Sequence, residues 1–364
     1  MYLGSLTTWL RLLQQHGFDW QCTPRVLGIT AVSTLTAPLR LLERRLYGKA
    51  IDATPITHPP IFIIGYPRSG TTHLHNLLSQ DPQFGYVTQF QALAPDAFLL
   101  GQKWLRPLAH KLLPAKRPQD NVRLFLDAPQ EEEIALAHTS IHSEFHGLFF
   151  PRQMRQFVTK YTLFEGVTAS EKIAWEQAYL RVLKKATRHM DGKQLLLKTP
   201  ANVARISTLL TLFPQAKFIH IYRNPYLVYT SAVHTLHSVT EMLGCQKIDR
   251  QTLEDNVLFF YRAMMQKFLD DSPHIPAGNL VSVRFETLEQ TPMALLETIY
   301  QSLNLPGLTE AQPHFERYLA GHRHYQKNQY QLDETTIHTI QAHWQFTIDR
   351  WHYHPPAADS IIRS

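Results

Sequence analysis

The chain has 364 residues, 44% hydrophobic and 18% charged, which excludes a disordered or low-complexity protein and leaves room for one large core or two ordinary ones. A formal charge of +6 and a pI near 9.2 suit an anionic ligand, but no concentrated basic arm is present, so nucleic acid is not the expected partner. Two distant cysteines, Cys22 and Cys245, exclude a disulfide framework and suit a reducing, cytoplasmic compartment, while the 20 scattered histidines, including the pairs His322/His324 and His352/His354, lack the spacing of a metal site.

Residues 1–58 contain two predicted helices, Leu6 to His16 and Pro24 to Tyr47. The apolar run Val26 to Leu42 inside the second is interrupted by Pro38, Arg40 and threonines, short of the roughly 20 apolar residues needed to span a bilayer. Neither the basic start nor the small-residue cleavage site of a signal peptide is present. The expectation is a helical extension packed on a single domain covering 59–364, with docking on a membrane surface as the alternative.

Ile61 to Ile64 reads as a buried strand, Gly65-Tyr66-Pro67-Arg68-Ser69-Gly70 as a tight loop, and within His73 to Leu78 the residues Leu74, Leu77 and Leu78 as one face of a helix. Strand, small-residue loop and helix make a phosphate cradle, because successive backbone N–H groups converge where the helix N-terminus adds partial positive charge. The spacing Gly65-x4-Gly70 is that of the common nucleotide loop, but Thr71 stands where its lysine should be. That lysine reaches the β- and γ-phosphates of a nucleoside triphosphate, so this loop suits a shorter anion, and the charge it carries is Arg68.

Beyond the loop helix, Asp81-Pro82 is a turn and Phe84 to Phe90 a short predicted strand. Gln91 to Leu113, interrupted by Pro95 and Pro107, reads as short helices around a cavity. Asp127 is the expected cap of a helix running through Glu131, Glu132 and Glu133. Glu131 shares a face with Ile134, Ala135 and His138, so one of the three carboxylates is expected to turn inward, where a general base could be tuned.

Glu171 to His189 is a predicted helix stopped by Asp191-Gly192. Strands then alternate with helices: Gln194 to Leu197 before a helix over Val203 to Phe213, Lys217 to Tyr222 before Tyr226 to Val239, and Asn279 to Phe285 before Pro292 to Leu303. This alternation predicts an α/β fold, a P-loop-like parallel sheet with helices on both faces and extra helices at both termini. Ligands of such sheets sit at the carboxyl ends of strands, where Arg68, Lys198, Arg223 and Glu286 all fall. Arg223-Asn224-Pro225 after one strand, with Ser231 two turns into the following helix, forms a second anion grip. Two grips together describe a nucleoside phosphorylated at both ends.

In these motifs the sequence resembles the sulfotransferase family. Tyr66-Pro67-Arg68-Ser69-Gly70-Thr71-Thr72 looks like the family's 5′-phosphosulfate loop, and Tyr222-Arg223-Asn224-Pro225 with Ser231 looks like its 3′-phosphate motif. The R-S-G-T-T form is similar to bacterial and tyrosylprotein sulfotransferases, and Lys198-Thr199-Pro200 matches the active-site K-x-P loop of the latter. The resemblance implies 3′-phosphoadenosine 5′-phosphosulfate (PAPS) as co-substrate and no metal, since this donor has no β/γ-phosphate pair to bridge. It further implies that Pro67, Ser69, Gly70, Thr71 and Thr72 hold the 5′-phosphate and that Arg223 and Ser231 hold the 3′-phosphate. Arg68 and Lys198 are then placed for the transferred group. The base such enzymes carry falls here near Thr88 to Gln91, where Thr88, Gln89 and Gln91 are incompetent, so that role moves to Glu131 or Glu132, with His138 behind them. A small-molecule, lipid or carbohydrate hydroxyl or amine is the expected acceptor. A P-loop kinase or NTPase, and a non-catalytic peripheral membrane protein on the same fold, are the alternatives.

Overall fold

The computed structural model describes residues 4–103, 105–112, 125–321 and 332–356. Its strands are β1 (Ile61–Ile64), β2 (Phe84–Gly85), β3 (Gln194–Lys198), β4 (Lys217–Tyr222) and β5 (Leu280–Arg284). The chain divides into two compact units, one of Met1–His58, Phe84–Thr199 and Val239–Ile248, the other of Pro59–Gln83, Pro200–Ser238 and Asp249–Ser364.

In the second unit β1 pairs parallel with β4 and β4 parallel with β5, Ile61 standing opposite Lys217 and Phe218 opposite Leu280. β1 is buried along its whole length, as a continuous Ile-Phe-Ile-Ile run requires of a strand covered on both faces. Each strand feeds a helix: Thr71–Leu78 after β1, Pro225–Leu243 after β4, and Phe285–Gln290 then Pro292–Ser302 after β5. A helix over Arg250–Asp271, absent from the expectations above, starts where the Asp249 carboxylate accepts from the Thr252 N–H at 2.8 Å. Trp344, on the helix Glu334–Arg350, stacks on Tyr261 with ring centroids 3.8 Å apart, and its indole N–H donates to the Leu258 carbonyl at 3.1 Å. Trp344 is therefore part of the core, and the pair His322/His324 lies outside the described residues.

In the first unit β2 pairs parallel with β3. The helix Ala169–His189 opens with a reciprocal cap between Thr168 and Glu171 and buries Trp175, Tyr179, Val182 and Leu183. The helix Leu6–His16 forms as expected. The single helix expected from Pro24 to Tyr47 is instead two, Thr23–Leu35 and Ala37–Asp52, bent by 40°. Pro38 is the cause, since it donates no N–H and its ring clashes with the carbonyl four residues back. Among the described residues no single helix is long and apolar enough to cross a membrane.

Three further expectations are corrected. The strand from Phe84 stops at Gly85, because Thr88 accepts from the Gln91 N–H at 3.2 Å and caps the helix Gln89–Leu93. Asp127 is not a cap: it is exposed and pairs with Arg106 at 2.5 Å, and the helix runs Glu132–Thr139 with Glu131 at its N-cap. The short helices Gln89–Leu93, Phe98–Gly101 and Leu105–Leu112 form, but Phe90, Ala94, Ala97, Phe98 and Leu126 pack on one another as a small apolar core instead of lining a cavity.

Candidate active site

In the second unit the loop after β1 is shaped by two close approaches. A Cβ on Gly65 would stand 2.3 Å from the Ile221 carbonyl oxygen, and Gly70 sits at φ +94 with Phe285 where its Cβ would be. Ser69 and Thr71 are buried, and the Ser69 N–H donates to the Tyr66 carbonyl at 3.2 Å. That N–H is therefore committed within the loop, which leaves the cradle to the first turn of Thr71–Leu78, whose leading N–H groups have no intrahelical acceptor.

The two arginine motifs meet within this unit although 155 residues separate them. Arg68 Nε donates to Ser231 Oγ at 2.9 Å, and Arg223 Nη1 donates to the Arg68 carbonyl at 3.2 Å. The Arg223 guanidinium lies 4.4 Å above the Phe285 ring, the same ring that fills the space beside Gly70. Ser231 thus faces the loop arginine.

Glu286 does a different job from the other strand-end charges. Its Oε1 accepts from the Asn224 N–H at 3.2 Å and its Oε2 from the Tyr353 hydroxyl at 2.8 Å, while Asn224 Nδ2 donates to the His354 carbonyl at 3.2 Å. Glu286 and the segment around Tyr353 therefore fasten the turn that presents Arg223. Phe285 was missed by reasoning from charge.

In the first unit Lys198, at the end of β3 and almost fully buried, pairs with Glu131 at 2.5 Å. Glu131 keeps 20% of its side chain exposed. Its neighbours do not: Glu132 and Glu133 are sealed. Glu132 Oε1 accepts from the Tyr179 hydroxyl at 3.1 Å, and Glu133 Oε1 accepts from the Ser143 hydroxyl at 2.6 Å and the Glu144 N–H at 3.3 Å. Two carboxylates turn inward where one was expected, and both are held by structural donors.

His138 is also sealed: its Nδ1–H donates to the Ala92 carbonyl at 2.8 Å, and burial pushes its pKa down to about 3. A neutral ring so placed packs rather than accepts protons. Gln89, in the segment where a family base was sought, accepts from the Gln130 amide, and Thr88 and Gln91 are spent on capping. Among the described residues no cluster of three or more His, Cys, Asp or Glu is placed to hold a metal ion.

A parallel α/β fold with a phosphate-type loop, Thr71 in place of the triphosphate lysine and an arginine inside the loop, defines a P-loop-like transferase. A family model described as the sulfotransferase family matches residues 59–310, and the chain belongs to that family. It is 32% identical over 351 residues to the omega-hydroxy-beta-dihydromenaquinone-9 sulfotransferases Stf3 of Mycobacterium bovis and Mycobacterium tuberculosis, spanning 96% of this chain and 90% of theirs. The crystal structure of sulfotransferase STF9 from Mycobacterium avium shares the fold, with a TM-score of 0.68 at 18% identity over 97% of each chain.

Proposed function

We propose that this sulfotransferase moves a sulfonate group from PAPS to a hydroxyl on a small, lipid-like acceptor, with residues 59–364 carrying the transfer chemistry and 1–58 an extension. The observation that carries the donor assignment is the hydrogen-bonded set Arg68, Ser231 and Arg223, which supports a double anion grip beside a loop too short of charge for a triphosphate. The residues fit such a donor: Gly70 leaves the backbone bare at the helix N-terminus, and two guanidinium groups and a buried hydroxyl converge beside it. The Thr71–Thr72 end of the helix holds the 5′-phosphate, and Arg223 with Ser231 holds the 3′-phosphate. Pro67 and Ser69 shape the loop that presents Arg68.

In the transfer the acceptor oxygen forms a bond to sulfur while the bond from sulfur to the 5′-phosphate oxygen breaks. Arg68 and Lys198 stabilise the charge that develops on the sulfonyl and bridging oxygens. Glu131 takes the acceptor proton, being the one carboxylate of its trio that is not sealed. Its pairing with Lys198 orients it. Glu132 acts beneath it, in a structural role through Tyr179. The acceptor class rests on the two curated relatives, which are named for omega-hydroxy-beta-dihydromenaquinone-9.

The decisive measurement compares thermal stabilisation by adenosine 3′,5′-bisphosphate with that by magnesium-ATP. Stabilisation by the bisphosphate alone is expected. Stabilisation by magnesium-ATP alone would return the chain to the kinase reading.

A further inference from the structure

The helices Thr23–Leu35 and Ala37–Asp52 bury polar groups as well as Val26 and Ile51: Ser33 and Glu43 are sealed, and Glu43 takes Lys185 Nζ at 2.6 Å on one oxygen and the Leu100 N–H at 3.0 Å on the other. Arg25 reaches the Glu241 and Gly244 carbonyls, and Arg40 folds back onto Thr36 and the Ser33 carbonyl. Leucines face outward instead. Leu27, Ala31 and Leu35 follow one another at four-residue spacing on the exposed side, and Leu41, Leu42 and Leu46 continue the exposed apolar surface beyond the bend. Leu35 is 80% exposed, Leu41 69%, and Trp20, just before the first helix, 79%. No residue from 26 to 39 carries a charge.

An ordinary surface helix does the reverse, burying its apolar stripe and showing its charges. A continuous exposed apolar face of this kind marks a contact surface. What covers it is indicated by its border. Arg44, Arg45 and Lys49 are all exposed at the far end of the leucine face, and the exposed acid there, Asp52, is paired with Arg181. Apolar side chains flanked by a basic cluster and an exposed tryptophan match the acyl boundary and anionic headgroups of a phospholipid leaflet. The polar groups packed beneath the pair, Ser33 and Glu43 above all, tie it to its own unit, which fits a segment lying in the interface plane.

We propose that the outward face of residues 20–49 docks on an anionic phospholipid membrane. This surface stands independently of the acceptor assignment, since it rests on the N-terminal helices alone. The test is flotation of the full-length protein with phosphatidylcholine vesicles, with and without phosphatidylglycerol. Wild type is expected to float, more strongly with phosphatidylglycerol. The double variant Leu35→Glu/Leu41→Glu, at exposed positions, is expected to bind vesicles at least about tenfold less, with an unchanged melting curve. The triple variant Arg44→Gln/Arg45→Gln/Lys49→Gln is expected to lose the preference for phosphatidylglycerol and to keep its melting curve. Absence of flotation, or equal flotation of the leucine variant, would overturn the proposal. So would a dimer in light scattering that the leucine variant dissociates and that ignores vesicles, which would assign the face to a second copy.

Discussion

The loop after β1 and the Lys198–Glu131 pair are both strand-end charge sites, yet they are made in different ways. Around Gly65 to Thr72 the shape is held in the backbone: positive φ at Arg68 and Gly70, a glycine pressed against the Ile221 carbonyl, and a helix whose first N–H groups have no intrahelical acceptor. Such a device is local, and its residues are neighbours in the chain. Lys198 and Glu131 stand 67 residues apart and meet as side chains, with one carboxylate chosen from three by burial alone. Backbone devices tolerate little variation and leave a motif behind, whereas side-chain pairs can be met by many sequences and leave only composition.

That contrast can be broken experimentally. The largest expected effect is on the pair. Lys198→Ala and Glu131→Gln should each slow transfer by about a hundredfold to ten-thousandfold while adenosine 3′,5′-bisphosphate affinity holds. The double variant should lose little more than either alone, because the two groups act as a unit. Steady-state rates together with bisphosphate titration check this. Equal losses of rate and bisphosphate affinity would mean that the pair serves binding.

Arg223→Ala should do the opposite, weakening bisphosphate binding by about tenfold to a hundredfold, the value of a lost charge-assisted hydrogen bond, with a smaller change in the rate at saturation. Calorimetric titration reads the first and saturating kinetics the second. Loss of the same bonds should also loosen the Arg68 carbonyl, so a moderate effect on transfer is expected and a dominant one is not.

The legibility of the molecule follows the same division. β1 and the loop after it were readable because a strand buried on both faces is a continuous apolar run and because glycine and proline punctuate the loop. The grips at Arg68 and Arg223 were readable as strand-end charges, but not that Arg68 would reach Ser231, since nothing in a one-dimensional spacing brings positions 163 apart together. The helix Arg250–Asp271 was missed although its cap Asp249 was visible. The false strand to Phe90 arose because Thr88 looks β-prone until its hydroxyl is seen capping a helix. The outward leucines of Thr23–Leu35 were read as an apolar run without a direction, because periodicity does not say which stripe faces in when both polar and apolar stripes are present.

The smallest expected effect tests the sealed side of the acidic helix, where His138 was set behind the glutamates as a reserve base. Burial lowers its pKa from 6.5 to about 3, and the nearby His146, also sealed, is pushed down to about 4. A histidine whose folded pKa is depressed binds its proton more readily in the unfolded chain. Its stabilising contribution is therefore complete above pH 6.5 and is lost as pH falls from 6.5 toward 3, by up to about 1.4 kcal/mol for each pH unit. His138→Asn keeps a donor for the Ala92 carbonyl but cannot titrate. It should flatten the fall of melting temperature between pH 7 and pH 5 by roughly one proton's worth and leave the pH profile of transfer unchanged. If the substitution instead moves the alkaline or acid limb of the rate profile and leaves the melting profile alone, His138 exchanges protons with the acceptor and the base is not on Glu131.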